Sequence, residues 1–298
     1  MSNKVKPLEE LNVLDDFLMS AITNDPDVGV PFCRTLLSVL LQRKIGKVRI
    51  ISQRSIPALT PELRGIRMDV EVEEAGVGEV PAMNVYDLEP HLQNDLDLPR
   101  HNRFYQAKID SRYLKSGEKN FSKLPNLYIL TITDFDPFGQ DYMVYRVRNK
   151  FEDIPEMEYE DGLRYLYYYT EGKKGGSPEI GAVLRYLQES TLSNVTDGVV
   201  QKIHRYVTDV KVRPEVKFEY MTFEEYVELQ KYGIARKTRK ETMVEAIVDL
   251  LEEFGEVPES VREKLMKKEP EYLRRWLKLA AKAESLEVFI QQLDTGNC

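Results

Sequence analysis

Cysteine is scarce in this chain. Cys33 lies in an apolar helix-like run and Cys298 is the last residue, so the two form no spaced cluster. That argues against a disulfide framework and against a zinc site, and both are read as structural thiols. Long apolar runs are missing as well. No stretch approaches the roughly 18 consecutive apolar residues of a membrane span, and Met1 to Glu10 is polar, with Lys4 and Lys6 and no apolar core for a secretory signal. A cytoplasmic protein with no membrane partner is expected. Positive charge is in deficit: 42 Lys and Arg stand against 50 Asp and Glu, for a net charge of -8. This argues against nucleic-acid binding by bulk electrostatics alone, but not against a local basic stripe acting with a bound cation. Internal repeats and low-complexity tracts are absent too.

What is present is enough apolar material for one core and an appendage, since 42% of the 298 residues are hydrophobic. Periodicity predicts helices over Asn12 to Ala21 and Pro31 to Ile45, the second with Phe32, Leu36, Val39 and Leu40 on one side and Pro31 suited to its first turn. Strands rich in β-branched and aromatic residues are expected at Val48 to Ile51, Ile66 to Val72, Met83 to Glu89, Leu127 to Thr133, Tyr142 to Val147 and Leu163 to Tyr169. A helix is expected from Arg100 to Ser116, where Tyr105, Ile109 and Tyr113 recur every four positions before Gly117. The order is α/β, a mixed sheet flanked by helices, turning helical from Ile180 onward. The acid-rich Glu152 to Asp161 reads as a solvated loop. The basic stretch Lys231 to Lys240 reads as a break, dividing a domain of residues 1–230 from a C-terminal helical segment, 231–298.

Chemistry centres on Asp69 and Glu89, twenty positions apart at the ends of two strand-like runs that a Gly-containing connection can fold into a hairpin. Side chains alternate along a strand, so Asp87, Glu89 and His91 share a face, with Asp69 near Asp87 or Glu89 on the neighbouring strand. Like charges placed opposite each other destabilise a sheet unless something neutralises them. A hard cation such as Mg²⁺, content with one or two carboxylates plus water and phosphate oxygens, would do so. The plainer alternative is an amphipathic hairpin whose acidic face, including Glu71 and Glu73, is solvated.

Four segments follow one another in order: Arg67-Met68-Asp69-Val70, Tyr86-Asp87-Leu88-Glu89, Leu98-Pro99-Arg100-His101-Asn102-Arg103-Phe104-Tyr105-Gln106-Ala107-Lys108-Ile109-Asp110, and Asp134-Phe135-Asp136-Pro137-Phe138-Gly139. Together they closely resemble the PD-(D/E)XK nuclease family transposases, also described as recombination-promoting nucleases, over about Leu11 to Met221. The resemblance implies a restriction-endonuclease-like α/β core with a C-terminal helical appendage, and Mg²⁺-dependent hydrolysis of DNA phosphodiesters in recombination or mobile-element biology. It implies that Asp69 and Glu89 hold the metal, with Asp16 as a further acid or simply a solvated first turn. Where the family has Gln or Lys two residues after the glutamate, this chain has Pro90-His91. His91 is the candidate for orienting or deprotonating water, whereas Pro90 suits an edge strand or bulge. Arg103 and Gln106 are candidates for phosphate or active-site contacts, and Lys108, Arg112 and Lys115 for a DNA-backbone track or a solvated helix face. The alternative function is a degenerate, non-catalytic relative that binds DNA or protein, and self-association is left open.

Overall fold

The structure is a computed structural model that describes residues 6–52, 55–56, 66–67, 69–75, 83–92, 97–114 and 116–295. Contacts divide the chain into two compact units, Lys6–Tyr220 and a helical unit from Met221 onward. Cys298 and Lys115 lie outside the described residues. No helix among those described is long and apolar enough to cross a membrane.

The first unit is a mixed α/β structure built on six strands: β1 (Val48–Ser52), β4 (Val70–Glu74), β5 (Asn84–His91), β6 (Asn126–Thr133), β7 (Val144–Val147) and β8 (Leu163–Tyr169), with β2 (Ser55–Ile56) and β3 (Ile66–Arg67) forming a separate small pair. The sheet order is β1-β4-β5-β6-β8-β7. The first three strands and the final pair are antiparallel, while β5, β6 and β8 run parallel. Parallel neighbours need crossovers, and the β5 to β6 crossover carries α3 (Leu98–Asp110).

Helices cover both faces. On one side α1 (Asp16–Asn24), α2 (Gly29–Leu40), α4 (Pro178–Gln188) and α5 (Gly198–Lys211) cluster together, and Tyr168 Oη donates to the Leu40 carbonyl of α2 at 2.8 Å. On the other side Tyr105 and Ile109 of α3 pack against Val85, Leu127 and Ile129. The predicted second helix stops at Leu40, short of Ile45, because Gln42 takes a left-handed conformation at φ 51. Cys33 is buried in α2, and burial pushes its thiol up to about 12. Hydrogen bonds stitch the start of the unit to its end: Val13 N–H donates to Ser190 Oγ and Ser190 N–H to Asn12 Oδ1, both at 2.9 Å, and Lys211 Nζ donates to the Leu11 carbonyl at 2.6 Å.

In the second unit the rest of α6 (Pro214–Glu252), with α7 (Glu259–Met266), α8 (Pro270–Ala280) and α9 (Leu286–Thr295), surrounds Val244, Ile247, Leu251, Leu265, Leu273, Trp276 and Phe289. The basic stretch expected to break the chain at Lys231 to Lys240 is part of α6. Lys and Arg are good helix formers and no proline interrupts them.

On the α2 side of the sheet, Glu74 is nearly fully buried and accepts hydrogen bonds from Gly46 N–H, Arg43, Asn84 and the Tyr86 hydroxyl. Burial alone would raise its pKa, but these donors together hold the carboxyl down at about 2. A depressed carboxylate stabilises the fold above its unfolded value near 4.5, and that contribution is lost as pH falls towards 2. Glu74→Gln is therefore expected to lower unfolding free energy at pH 7 by on the order of 3 kcal/mol. The gap from wild type should close between pH 4.5 and 2 in urea melts at each pH.

Candidate functional site

β4 and β5 pair with Val70 opposite Leu88 and Glu71 opposite Asp87. The residue before β4 therefore faces Glu89, and Asp69 N–H donates to Glu89 Oε1 at 3.1 Å. The hairpin brings the Asp69 backbone to the Glu89 carboxylate at the end of the β4/β5 ladder, close enough for the Asp69 charge to act on it. Glu89 is buried and Asp69 half-buried.

The acidic face is not solvated as the plainer alternative had it. Glu71 and Asp87 are fully buried, because α3 lies over this side of the sheet. Glu71 is neutralised by Arg112, whose Nη2 sits 2.5 Å and Nη1 3.4 Å from its two oxygens, a fork-on-fork pairing. Arg112 follows the end of α3 and turns inward, and is largely buried itself. Glu73 pairs with Arg49 across the β1/β4 ladder at 2.5 Å.

Asp87 has no such fork: its carboxyl shares a hydrogen bond with that of Glu89, and the Arg112 charge reaches it only at a distance. Burial, then the charges of Glu71 and Asp69, push it well above the ordinary carboxylate range. Glu89 is raised in the same direction by burial and then by the Asp87 and Asp69 charges, which its hydrogen bond from Asp69 offsets only in part. Sequence periodicity placed Asp87 on this face but gave it no role. What it could not see is the helix that closes over the residue.

His91 ends β5, with its ring centroid 5.7 Å from His101 and 6.4 Å from Phe135. His101 in turn stacks on Tyr105 at 4.2 Å. Pro90 is in register with Ile132 of β6. It is tolerated in a central strand because the last β4/β5 pair is Val70 with Leu88, so Pro90 lies beyond that ladder. Asn102 of α3 donates to Thr131 Oγ1 at 2.8 Å, pinning the helix over the strand next to Glu89.

The other sequence candidates scatter. Arg103 is exposed on α3. Gln106 donates to Asp110 at 2.7 Å and accepts from Tyr165 Oη at 3.4 Å. Lys108 lies over the Phe104 ring at 5.5 Å, while the largely buried Arg112 is engaged in its ion pair with Glu71. Asp16 is exposed in the first turn of α1.

Among the described residues, no three His, Cys, Asp or Glu side chains form a metal-binding group. The pair Asp69 and Glu89, with Asp87 behind it, offers only hard oxygen donors, and the like charges that raise the Asp87 and Glu89 carboxyls are what a cation would relieve. That chemistry suits a magnesium-like cation carrying its own water.

A raised carboxyl stabilises the fold below its unfolded pKa, and that stability is lost as pH rises through the folded value. Asp87→Asn keeps the shape and removes the charge. In the metal-free protein it is expected to raise Tm at pH 8, with the gain disappearing near pH 4, as read by scanning calorimetry in EDTA. Comparison with known protein families, with curated proteins and with solved structures gives no match to this chain.

Proposed function

We propose that the protein is a metal-dependent DNA endonuclease of the PD-(D/E)XK transposase-associated kind, with a restriction-endonuclease-like core. The observation that carries this reading is the meeting of Asp69 and Glu89 across the β4/β5 hairpin, beside a buried Asp87 whose carboxyl is held against that of Glu89. The ordered motifs that resemble the family supply the reaction class. Asp69 and Glu89 would hold Mg²⁺. Bound there, the cation would polarise a non-bridging phosphate oxygen and lower the pKa of a water. His91, two residues beyond Glu89 on the same face, would orient that water and take its proton. Arg103, exposed on α3, is free to meet a phosphate. Arg112 instead serves the site by balancing Glu71.

A second reading, a non-catalytic relative that binds DNA or a protein, is favoured by the Pro90-His91 pair standing where the family has a Gln or Lys. Plasmid nicking separates the two. The endonuclease reading expects nicking in Mg²⁺, none in EDTA, and none from Asp69→Asn or Glu89→Gln. Mg²⁺ should also raise Tm of the wild type more than that of either variant. DNA binding with no nicking at any Mg²⁺ concentration would establish the second reading.

If His91 is the base, protonating its imidazole at low pH should stop the reaction, so the rate climbs with pH. His91→Ala should then lower the rate about 10²-fold, and His91→Gln should restore nicking without that pH step. Equal rates and pH profiles in wild type and His91→Ala would remove His91 from the mechanism.

A further inference from the structure

β6 runs into Asp134-Phe135-Asp136-Pro137-Phe138-Gly139, a turn to which the proposed hydrolysis assigns no part. The turn is tightly held. Asp136 accepts from Phe138 N–H at 3.0 Å, Asp141 N–H at 2.6 Å and the Tyr145 hydroxyl at 2.6 Å, and that hydroxyl accepts in turn from Gln140 and Tyr142 N–H at 3.2 Å. The effect is to fix three rings side by side. Phe138 meets Tyr145 and Tyr167 edge-on, each at 5.0 Å, and Tyr142 lies 5.9 Å from Tyr145.

Rings so firmly placed would ordinarily be buried, yet Phe138 is 37% and Tyr142 44% exposed. They open onto a cleft of about 430 Å³ along the edge strand β7, lined also by Gln140, Val144, Arg146 and Val147. Gly175, at φ 62, lies close against the Tyr142 ring, where an added Cβ would come 2.9 Å from Cδ1.

Sheet register ties this cleft to the acidic pair. Glu89 pairs with Thr131, Thr131 with Tyr167, and Tyr167 with Tyr145. Directly paired residues share a face, so one row of side chains crosses from Glu89 to the aromatic cluster. Three strand spacings of about 4.8 Å make that roughly 14 Å, or about four nucleotides of a B-form strand. Two cations stand beside the rings, among the turn's own acids Asp134 and Asp141: Arg146 is exposed, with Nη2 donating to Gln42 Oε1 at 3.4 Å, and Lys174 lies 6.0 Å over the Tyr142 ring with Nζ donating to the Gln140 carbonyl at 3.1 Å. The Asp136 carboxylate is occupied by the turn's own donors.

We propose that Phe138, Tyr142 and Tyr145 form a stacking platform for an unpaired nucleobase, on a strand whose backbone is drawn to Lys174 and Arg146 and whose scissile phosphate lies at Asp69 and Glu89. The platform makes single-stranded or locally opened nucleic acid the substrate class. Its connection to a scissile phosphate rests on the endonuclease reading above, but its capacity to bind does not.

The test is binding of the full chain, in EDTA so that no cleavage intervenes, to a short oligothymidylate carrying one 2-aminopurine. Wild type is expected to bind and quench the 2-aminopurine. Phe138→Ala and Tyr142→Ala should each weaken binding about ten-fold or more and lose the quenching, with Tyr142→Trp restoring both. Lys174→Gln, which leaves the rings in place, should reduce the salt dependence and keep the quenching. Two results would overturn the platform: affinity and quenching in Tyr142→Ala equal to those of wild type, or a cleft that takes a proline-rich peptide and ignores the oligonucleotide. Metal-dependent nicking is scored separately, so a protein that stacks bases without cutting fails only the endonuclease reading, and one that cuts duplex without stacking fails only the platform.

Discussion

Glu71 and Asp87 stand opposite each other in the β4/β5 ladder, beneath a helix that seals both from water. A sheet tolerates such a pair poorly, since each charge loses its hydration and faces its own sign. The arrangement around them follows from that conflict. Arg112 reaches in from the end of α3 and clamps Glu71, which fixes one end of the helix against the sheet. Asn102 fixes the other end through Thr131. With Glu71 satisfied, the conflict falls on Asp87 and Glu89, whose carboxyls are raised by burial and by neighbouring carboxylates, Asp69 among them, where the β4/β5 ladder ends. Breaking a buried pair such as Arg112 with Glu71 by removing one partner is far more damaging than replacing both. Arg112 is therefore a poor choice for probing DNA contacts, whatever its charge suggests.

Much of the first unit was legible because strand chemistry is local. The β-branched and aromatic runs at Leu127 to Thr133 and Leu163 to Tyr169 became β6 and β8 almost residue for residue, and alternation alone placed Glu89 and His91 together. The approach of Asp69 to Glu89 was also readable, because a hairpin's register follows from its two arms. Burial was not readable. Glu71 and Glu73 look alike in sequence, yet one lies fully under α3 with an arginine fork while the other sits at the edge with Arg49. Nothing nearby in sequence tells them apart, since the difference comes from a helix that starts almost thirty residues later.

The same limit explains the basic residues. Lys108 and Arg112 are one helical turn apart and looked like a single track, but α3 ends at Asp110, and the chain turns Arg112 off the helix face. Pro90 misled in the other direction. Its ring forbids a ladder donor, which reads as an edge strand, whereas the central strand β5 outlasts one of its two neighbours there. The aromatic cluster by Phe138 was visible as a turn-rich motif, but its alignment with Glu89 exists only in the cross-strand register of four strands.

The stitches between Leu11, Asn12 and Val13 and the distant Ser190 and Lys211 set a constraint on synthesis. A ribosome adding roughly 5 to 20 residues per second delivers the first of these partners tens of seconds before the last, so the opening segment must wait as an unfinished surface. The parallel centre of the sheet waits too, since β5 cannot gain β6 until the α3 crossover has been made. The unit can therefore close only once α5 has been made, and until then the parts of α1 and α2 that meet α4 and α5 lack those partners.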